Sequence, residues 1–259
     1  MFLALMSRCK DEPYVAEFVR YYLSQGVDMI YILDDDSDQA IYRDVLQNPQ
    51  VTIVPGKNIV VGHNGLRAFY PTIRHMYEWL IHVDMDEYIA TRKRERATIR
   101  RELETTFKDV HWIYVPWVFM SCNSLEKNPE CLLQTNVYRP DYDKTHPPSS
   151  KGKFKHQHLC KSIFRPAFFN GTMPHNPIEP TCKVTMVRSA KRELTEESIR
   201  TAQLVCYHYR YVSIEQFLHK TKTSHFYKKH ADDVHLMLEH DHPDLVDETM
   251  RNKSLQILN

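Results

Sequence analysis

The chain has 259 residues, of which 42% are hydrophobic, and its 34 basic and 33 acidic side chains almost cancel. This length and composition can form a substantial core and favour a single domain. The charge balance excludes the global basic excess that is typical of nucleic-acid binders and membrane-surface proteins, so we expect no nucleic-acid partner.

The first apolar segment, MFLALM, is too short for the core of a signal peptide and far too short to cross a bilayer. Six cysteines occur without a CxxC pair, a pattern more typical of free thiols in a reducing compartment than of a disulfide framework. We therefore expect a cytoplasmic protein without stable membrane insertion. The alternative is a fragment of a longer, anchored protein.

Strand and helix signals alternate over the first part of the chain. Strands are predicted over FLALM, DMIYIL, VTIVP and WLIHV. Residues 12–25 place their apolar side chains on one helical stripe that ends near Gly26, and helices are also predicted over QAIYRDVLQN and near residues 65–77. This order predicts a mostly parallel sheet covered by helices, with ligands bound beyond the carboxyl ends of the strands.

Acidic side chains close two of these predicted strands. Residues 34–36 are all Asp, and Asp84, Asp86 and Glu87 follow the fourth strand. Carboxylates this close repel one another, and a divalent cation would relieve the repulsion. Alternate residues of an extended backbone face the same side, so Asp84 and Asp86 can address one Mg²⁺ or Mn²⁺ ion. The alternative is that these acids cap the following helices or lie in solvent.

Five short blocks occur in order between residues 8 and 220. They are CKDEPYVAEFVRYYLSQGVDMIYILDDDS, WLIHVDMDEYI, VPWVFMSCNS, KSIFRP and HYRYVSIEQFLHK. Together they resemble the motif pattern of glycosyltransferase family 92 and its relatives, with Glu12 and Lys220 among the matching positions. The departures include Asp11 where the family has Asn and Phe18 where it has Trp. The tail after Lys220 is unmatched.

The resemblance implies a GT-A fold, which is an α/β architecture with a mostly parallel twisted sheet flanked by helices. We expect one GT-A domain over residues 1–259, with a Rossmann-like half that binds the nucleotide-sugar at 1–90. An acceptor and catalytic half would follow at 91–220, and a helical tail at 221–259. The implied reaction is the inverting transfer of a hexosyl or pentosyl group from a nucleotide-sugar, with UDP favoured, to a hydroxyl of a glycan or glycoprotein acceptor.

The resemblance also implies a set of site residues. The cofactor would be Mn²⁺ or Mg²⁺, with Asp84, Asp86 and His208 as its ligands; His208 ends the predicted strand AQLVCYHY. Asp34 would bind the uracil or ribose of the donor. The simpler alternatives are a buried core histidine for His208 and ordinary solvated charges for the basic residues. The other donor contacts are expected from Arg8, Arg67, Asp84, Lys161 and His208.

Inverting transfer needs a general base to take the proton of the acceptor hydroxyl. Asp141 ranks first, because it follows the strand-like segment LLQTNVYR. Glu126, Asp143, Glu179 and His175 are the alternatives. Trp117 and Phe119 could form an apolar platform for the acceptor sugar, although such aromatic side chains more often pack in a core.

Two other classes of function compete with this interpretation. A metal-dependent phosphohydrolase could use strand-end aspartates, but its common Asp-x-Asp-x-Thr motif would need Thr where Tyr88 stands. A catalytically inactive protein that binds a nucleotide-sugar or a glycan would keep the donor site without turnover.

Two further segments carry minor predictions. DKTHPPSSKGK, at residues 143–153, is typical of a mobile lid or acceptor loop. HQHLC spaces His156, His158 and Cys160 along one strand face, but the pattern lacks a fourth ligand at a fitting distance and so argues against a zinc site.

Overall fold

The computed structural model describes residues 1–56, 64–94, 96–144, 160–191, 194–223, 234–239 and 241–258. The predicted lid lies outside these residues except for its first two positions, and so do both histidines of HQHLC.

The strands are β1 (Leu3–Cys9), β2 (Met29–Asp34), β3 (Val51–Pro55), β4 (Trp79–His82), β5 (Glu87–Thr91), β6 (Trp112–Phe119), β7 (Tyr138–Arg139), β8 (Cys160–Phe164), β9 (Phe169–Thr172), β10 (Pro177–Pro180), β11 (Met186–Arg188), β12 (Leu204–His208) and β13 (Leu245–Val246). The helices are α1 (Val15–Ser24), α2 (Asn64–Ile73), α3 (Ile99–Glu104), α4 (Leu132–Thr135), α5 (Glu196–Thr201), α6 (Ile214–Thr223), α7 (Val234–Glu239) and α8 (Thr249–Leu258).

A nine-stranded sheet organises the chain, in the order β3-β2-β1-β4-β8-β6-β12-β5 with β11 added beside β6. The first four strands pair in parallel, as the sequence predicts. β8 runs antiparallel to β4 and β6, whereas β12 runs parallel to β6 and antiparallel to β5. The expected α/β class with a mostly parallel sheet is confirmed. The carboxyl ends of β1, β2, β4, β6 and β12 therefore share one edge with the amino ends of β5 and β8.

The sheet is curled because β4 and β5 come from one short stretch of chain. Only residues 83–86 separate the two strands, yet β5 lies four places from β4 in the sheet. Five Cα–Cα steps reach at most about 17 Å, whereas four strand spacings in a flat sheet cover about 19 Å. The short connection can therefore join β4 to β5 only if the sheet bends. Residues 83–86, which include Asp84 and Asp86, then cross the edge of the sheet where the parallel strands end.

The two faces of the sheet are covered by separate apolar clusters. In β1, Leu3 and Leu5 pack into the larger cluster with α1, while Ala4 and Met6 face a second cluster built around α2. This alternation is the two-residue period of a strand that is buried on both faces. Among the described residues, no helix is long and apolar enough to cross a membrane.

Helix α1 confirms the predicted apolar stripe and its end. The Tyr22 hydroxyl donates to the carbonyl of Glu87 at 2.9 Å and so ties the helix to the start of β5. Gly26 ends the helix with φ +88°, and a Cβ there would lie 2.6 Å from the Cβ of Arg100. Both facts require glycine at this position.

The segment QAIYRDVLQN was predicted to be a helix, and this was wrong. It forms only a short 3₁₀ turn at Gln39–Tyr42. The Asp38 side chain accepts the N–H of Ala40 at 2.9 Å, and the Tyr42 hydroxyl donates to Asp34 at 2.7 Å. The Asp38 bond caps the start of this short turn, and the Tyr42 bond ties the turn to the end of β2.

The segment LLQTNVYR was predicted to be strand-like, and this was also wrong for most of its length. Its first half forms α4, and only the two residues of β7 are a strand. The carboxylate of Glu17 in α1 accepts the N–H groups of Leu132 and Leu133 at 2.9 and 3.0 Å. A tertiary contact that caps the helix N-terminus thus decides the local structure.

Candidate active site at the carboxyl edge of the sheet

Acidic side chains gather where the chain passes from β4 to β5. Asp84 and Asp86 lie in the connecting turn, Glu87 begins β5, and Glu12 follows β1. The Glu87 carboxylate accepts the backbone N–H of Asp84 at 2.8 Å, and the backbone N–H of Glu87 donates to the carbonyl of Asp84 at 3.1 Å. Glu87 is fully buried. This turn therefore brings several carboxylates to one edge of the sheet.

Asp84 is neutralised by two basic side chains. Arg8 at the end of β1 donates to Asp84 Oδ1 from Nε at 3.2 Å and from Nη2 at 2.7 Å. Lys161 in β8 places Nζ 2.5 Å from Asp84 Oδ2 and 3.0 Å from Glu87 Oε2. Burial opposes ionisation, but Lys161 and Arg8 hold the pKa of Asp84 well below its ordinary value. For Glu87, burial dominates and raises the pKa to about 8.

Asp86 has different neighbours. Lys220 of α6 places Nζ 2.8 Å from Asp86 Oδ2 and 3.1 Å from Glu12 Oε1. His208, at the end of β12, has Nε2 3.6 Å from Asp86 Oδ1. Burial lowers the pKa of His208 to about 4, so its imidazole is neutral near pH 7 and keeps a lone pair for a ligand.

Asp86, Glu87 and His208 are the described residues that best fit a divalent cation. Their donor atoms lie within 4.8 Å of one another. Glu87 Oε1 and His208 Nδ1 are buried without a hydrogen-bond partner, which is costly unless a ligand satisfies such atoms. Ligands of one Mg²⁺ ion lie about 2.1 Å from it and about 3 to 4 Å from one another, so small side-chain movements would suffice. Asp84, which was expected to be a ligand, lies outside this group.

An aromatic face, Trp117 and Phe119, borders the site at the end of β6. Their ring centroids lie 4.7 and 5.2 Å from that of His208. His175 lies 5.2 Å from Trp117, and Lys161 Nζ lies 5.7 Å from the same indole. Trp117 Nε1 is buried without a hydrogen-bond partner. The face thus offers apolar surface directly beside the charged groups.

Asp34 lies at the same edge of the sheet, in its own loop at the end of β2. It accepts hydrogen bonds from the N–H of Ser37 at 3.1 Å, from the Tyr42 hydroxyl at 2.7 Å and from Gln39 Nε2 at 3.3 Å. Burial would raise the pKa of Asp34, but the hydrogen bonds from Tyr42 and Ser37 outweigh it and lower that pKa. The carboxylate is therefore ionised and fixed in one orientation.

Two predicted site residues have partners elsewhere. Arg67 is exposed on α2, with Nη2 3.4 Å from the sulfur of Met173. Asp141 pairs with Lys144 at 2.9 Å and accepts the N–H of Asp143 at 3.0 Å. The structure thus brings together Arg8, Asp84, Asp86, Lys161 and His208, places Asp34 at the same edge, and leaves Arg67 and Asp141 without a described ion pair to this group.

Sequence reasoning assigned no site role to Glu12, Glu87 or Lys220. All three nevertheless stand at positions that match the glycosyltransferase family 92 pattern. That match was the available signal. What the sequence could not show is their contact, because Lys220 lies 134 positions from Asp86 along the chain.

Comparisons with known proteins add little to this geometry. No protein-family model and no curated protein matches the chain. Among solved structures, HddC from Yersinia pseudotuberculosis is similar with 10% identity and a TM-score of 0.39, over 78% of this chain and 98% of that chain. The 4-diphosphocytidyl-2C-methyl-D-erythritol synthase from Anaerococcus prevotii has 12% identity and a TM-score of 0.33, over 78% and 96%. Likenesses this distant carry no conclusion about function.

Proposed function

We propose that the protein is a metal-dependent glycosyltransferase that moves a sugar from a nucleotide-sugar to a hydroxyl of a glycan acceptor. One observation carries the proposal. At a single edge of the sheet, three side chains that could bind a metal ion, Asp86, Glu87 and His208, lie beside the basic side chains Arg8 and Lys161. A bound cation and positively charged side chains both stabilise the charge of a departing nucleoside diphosphate.

The described residues divide this work between them. Asp86, Glu87 and His208 would hold Mn²⁺ or Mg²⁺, which supplies positive charge to the leaving diphosphate when bound. Arg8 and Lys161 supply further positive charge for phosphate oxygens, and Asp84 holds both of them in position through contacts of 2.7 and 2.5 Å.

The remaining roles follow the family resemblance. UDP is the favoured nucleotide, and Asp34, fixed by its loop, would contact its uracil or ribose. Asp141 stays the proposed base. The hydrogen bond from Lys144 lowers the pKa of Asp141, so it is ionised near neutral pH. Its neighbour Tyr142 accepts the backbone N–H of Phe119 at 2.9 Å, which places Asp141 next to a residue that contacts the aromatic face.

Calorimetry tests the donor site. UDP, GDP and CMP are titrated with and without Mn²⁺ into the wild type, Asp86→Asn and the control Asp109→Asn, whose side chain is exposed before β6. We expect Mn²⁺-dependent binding of UDP by the wild type and the control and its loss in Asp86→Asn. Slow hydrolysis of one UDP-sugar should then identify the donor.

Two outcomes would contradict the proposal. Binding of no nucleotide with any metal would exclude the donor site altogether. Metal-dependent phosphate release from simple phosphate esters, without UDP-sugar hydrolysis, would instead favour the phosphohydrolase.

A further inference from the structure

Lys220 contacts one carboxylate oxygen of Asp86, a residue that the proposed function assigns to the metal ion. We infer that Lys220 competes with the divalent cation for Asp86 and, once that cation is bound, pairs with the diphosphate of the donor. This inference rests on the proposed function. It assigns a donor-binding role to a residue in the segment after β12.

The contacts of Lys220 place its ammonium group between two carboxylates. Its side chain is only 9% exposed, with Nζ 2.8 Å from Asp86 Oδ2 and 3.1 Å from Glu12 Oε1. A buried ammonium group requires partners of this kind. The other oxygen of Asp86 faces His208 at 3.6 Å. Asp86 thus connects the ammonium group to the proposed metal ligands.

The charges at the site favour a change of partner. The cations Arg8, Lys161 and Lys220 lie among the acidic side chains of Glu12, Asp84, Asp86 and Glu87 and already balance most of their negative charge. A divalent cation adds two further positive charges. It also repels an ammonium group on the same carboxylate, while the diphosphate brings new negative charge.

Lys220 and Lys161 differ in how they are held. Lys161 is fully buried and bonds Asp84, Glu87 and the carbonyl of Pro174, the last at 3.2 Å. These acceptors match all three N–H donors of its ammonium group. Lys220 extends from the last turn of α6 and is 9% exposed, so its long side chain can move from Asp86 toward a bound diphosphate. We therefore expect Lys220, rather than the fully buried Lys161, to change partner.

The inference predicts opposite changes in two affinities. In Lys220→Met, the Kd for Mn²⁺ without nucleotide, measured by paramagnetic resonance titration, should fall on the order of tenfold, because a competing charge is removed. The Kd for UDP at saturating Mn²⁺, measured by calorimetry, should rise by about the same factor. A purely structural role would not move the two constants in opposite directions.

Two further variants separate competition from general electrostatics and from unfolding. Arg210→Met removes a positive charge whose field acts on His208, and it should change the Mn²⁺ affinity by less than about threefold. The double variant Glu12→Gln with Lys220→Met removes one charge of each sign, so it protects the fold if the single variant is unstable. It should show the same pair of opposite changes.

Each result decides the inference. Mn²⁺ affinity that does not increase in the Lys220 variants, or UDP affinity that does not decrease, would overturn it while leaving the proposed function intact. If the wild type binds no Mn²⁺ even with UDP present, the proposed function fails, and the inference fails with it.

Discussion

Two groups of buried charges differ in how completely their polar atoms are paired. The first, which we call the anchor network, consists of Arg92, Arg139, Glu196 and Asp247. Arg139 donates from Nε to Asp247 at 2.9 Å and from Nη1 and Nη2 to Glu196 at 2.7 and 2.6 Å. Arg92 adds a contact to the other oxygen of Asp247 at 3.2 Å. Every nitrogen of the Arg139 guanidinium group therefore has an acceptor.

The second group lies at the carboxyl edge of the sheet, and we call it the site network. It also contains close ion pairs, but Glu87 Oε1 and His208 Nδ1 are buried without a partner. Buried polar atoms without partners reduce stability. The comparison teaches that the fold supplies a partner for every nitrogen of Arg139, whereas the site network keeps two buried polar atoms that the proposed metal ion could satisfy.

The largest expected effect is the loss of activity in Glu87→Gln. The variant removes a carboxylate from the metal-binding group, so Mn²⁺-dependent transfer should fall on the order of 10³-fold. Stability should stay within about 1 kcal/mol of the wild type, because burial raises the pKa of Glu87 to about 8 and the neutral amide resembles the protonated acid. Transfer assays and urea unfolding measure the two effects. A large loss of stability would show that Glu87 serves the fold.

Breaking the anchor network should have the reverse result. Arg139→Met removes the partner of Glu196 and one of the two arginine partners of the buried Asp247, and should lower the free energy of unfolding by about 3 kcal/mol. Activity per folded molecule should be unchanged. The control Arg200→Met breaks an exposed pair with Glu197 and should cost less than about 0.5 kcal/mol. Equal losses of unfolding free energy in both variants would contradict a stabilising role of the anchor network.

Asp141→Asn tests the proposed base with a smaller effect. The amide cannot accept the acceptor's proton, so transfer should fall by about 10²-fold while the affinity for UDP stays the same. Single-turnover transfer and calorimetry measure these quantities separately. Unchanged transfer would exclude Asp141 and redirect the search to the other acids and His175.

The smallest expected effect is a pH dependence in the anchor network. Burial opposes ionisation of Asp247, but Arg92 outweighs it and lowers the pKa of Asp247 below the ordinary value of 3.8. A depressed carboxyl pKa stabilises the fold above the ordinary pKa, and this contribution is lost as the pH falls through the lowered value. Urea unfolding at pH 7 and pH 3 should show the difference between the wild type and Asp247→Asn shrinking at pH 3. A constant difference would mean that the charge of Asp247 is unimportant.

The sequence predicts the elements whose apolar residues follow a regular helix or strand period within one segment. The first four strands and α1 follow from patterns within single segments, and the acids at the ends of β2 and β4 lie at one edge of the sheet, as the parallel order of these strands predicts. Two elements could not be predicted. The helix α4 depends on Glu17, which lies 115 positions from Leu132, and the turn at Gln39–Tyr42 is held against the end of β2 by the hydrogen bond from Tyr42 to Asp34.

The composition of the site was predictable only in part. Asp84, Asp86 and His208 stand out because charged or metal-binding side chains end apolar strands. Their division of roles does not follow from the sequence, since it depends on which basic side chain approaches which carboxylate. Those approaches join residues from opposite ends of the chain.

The end strand β5 has a consequence for biosynthesis. All five of its residues are buried, and the neighbour with which it pairs, β12, lies far downstream at Leu204–His208. A ribosome therefore releases β5 long before its partner exists, and the growing chain must shield an apolar strand edge that would otherwise favour aggregation. For the same reason His208 joins Asp86 only late in synthesis, so an incomplete chain lacks one member of the proposed metal-binding group.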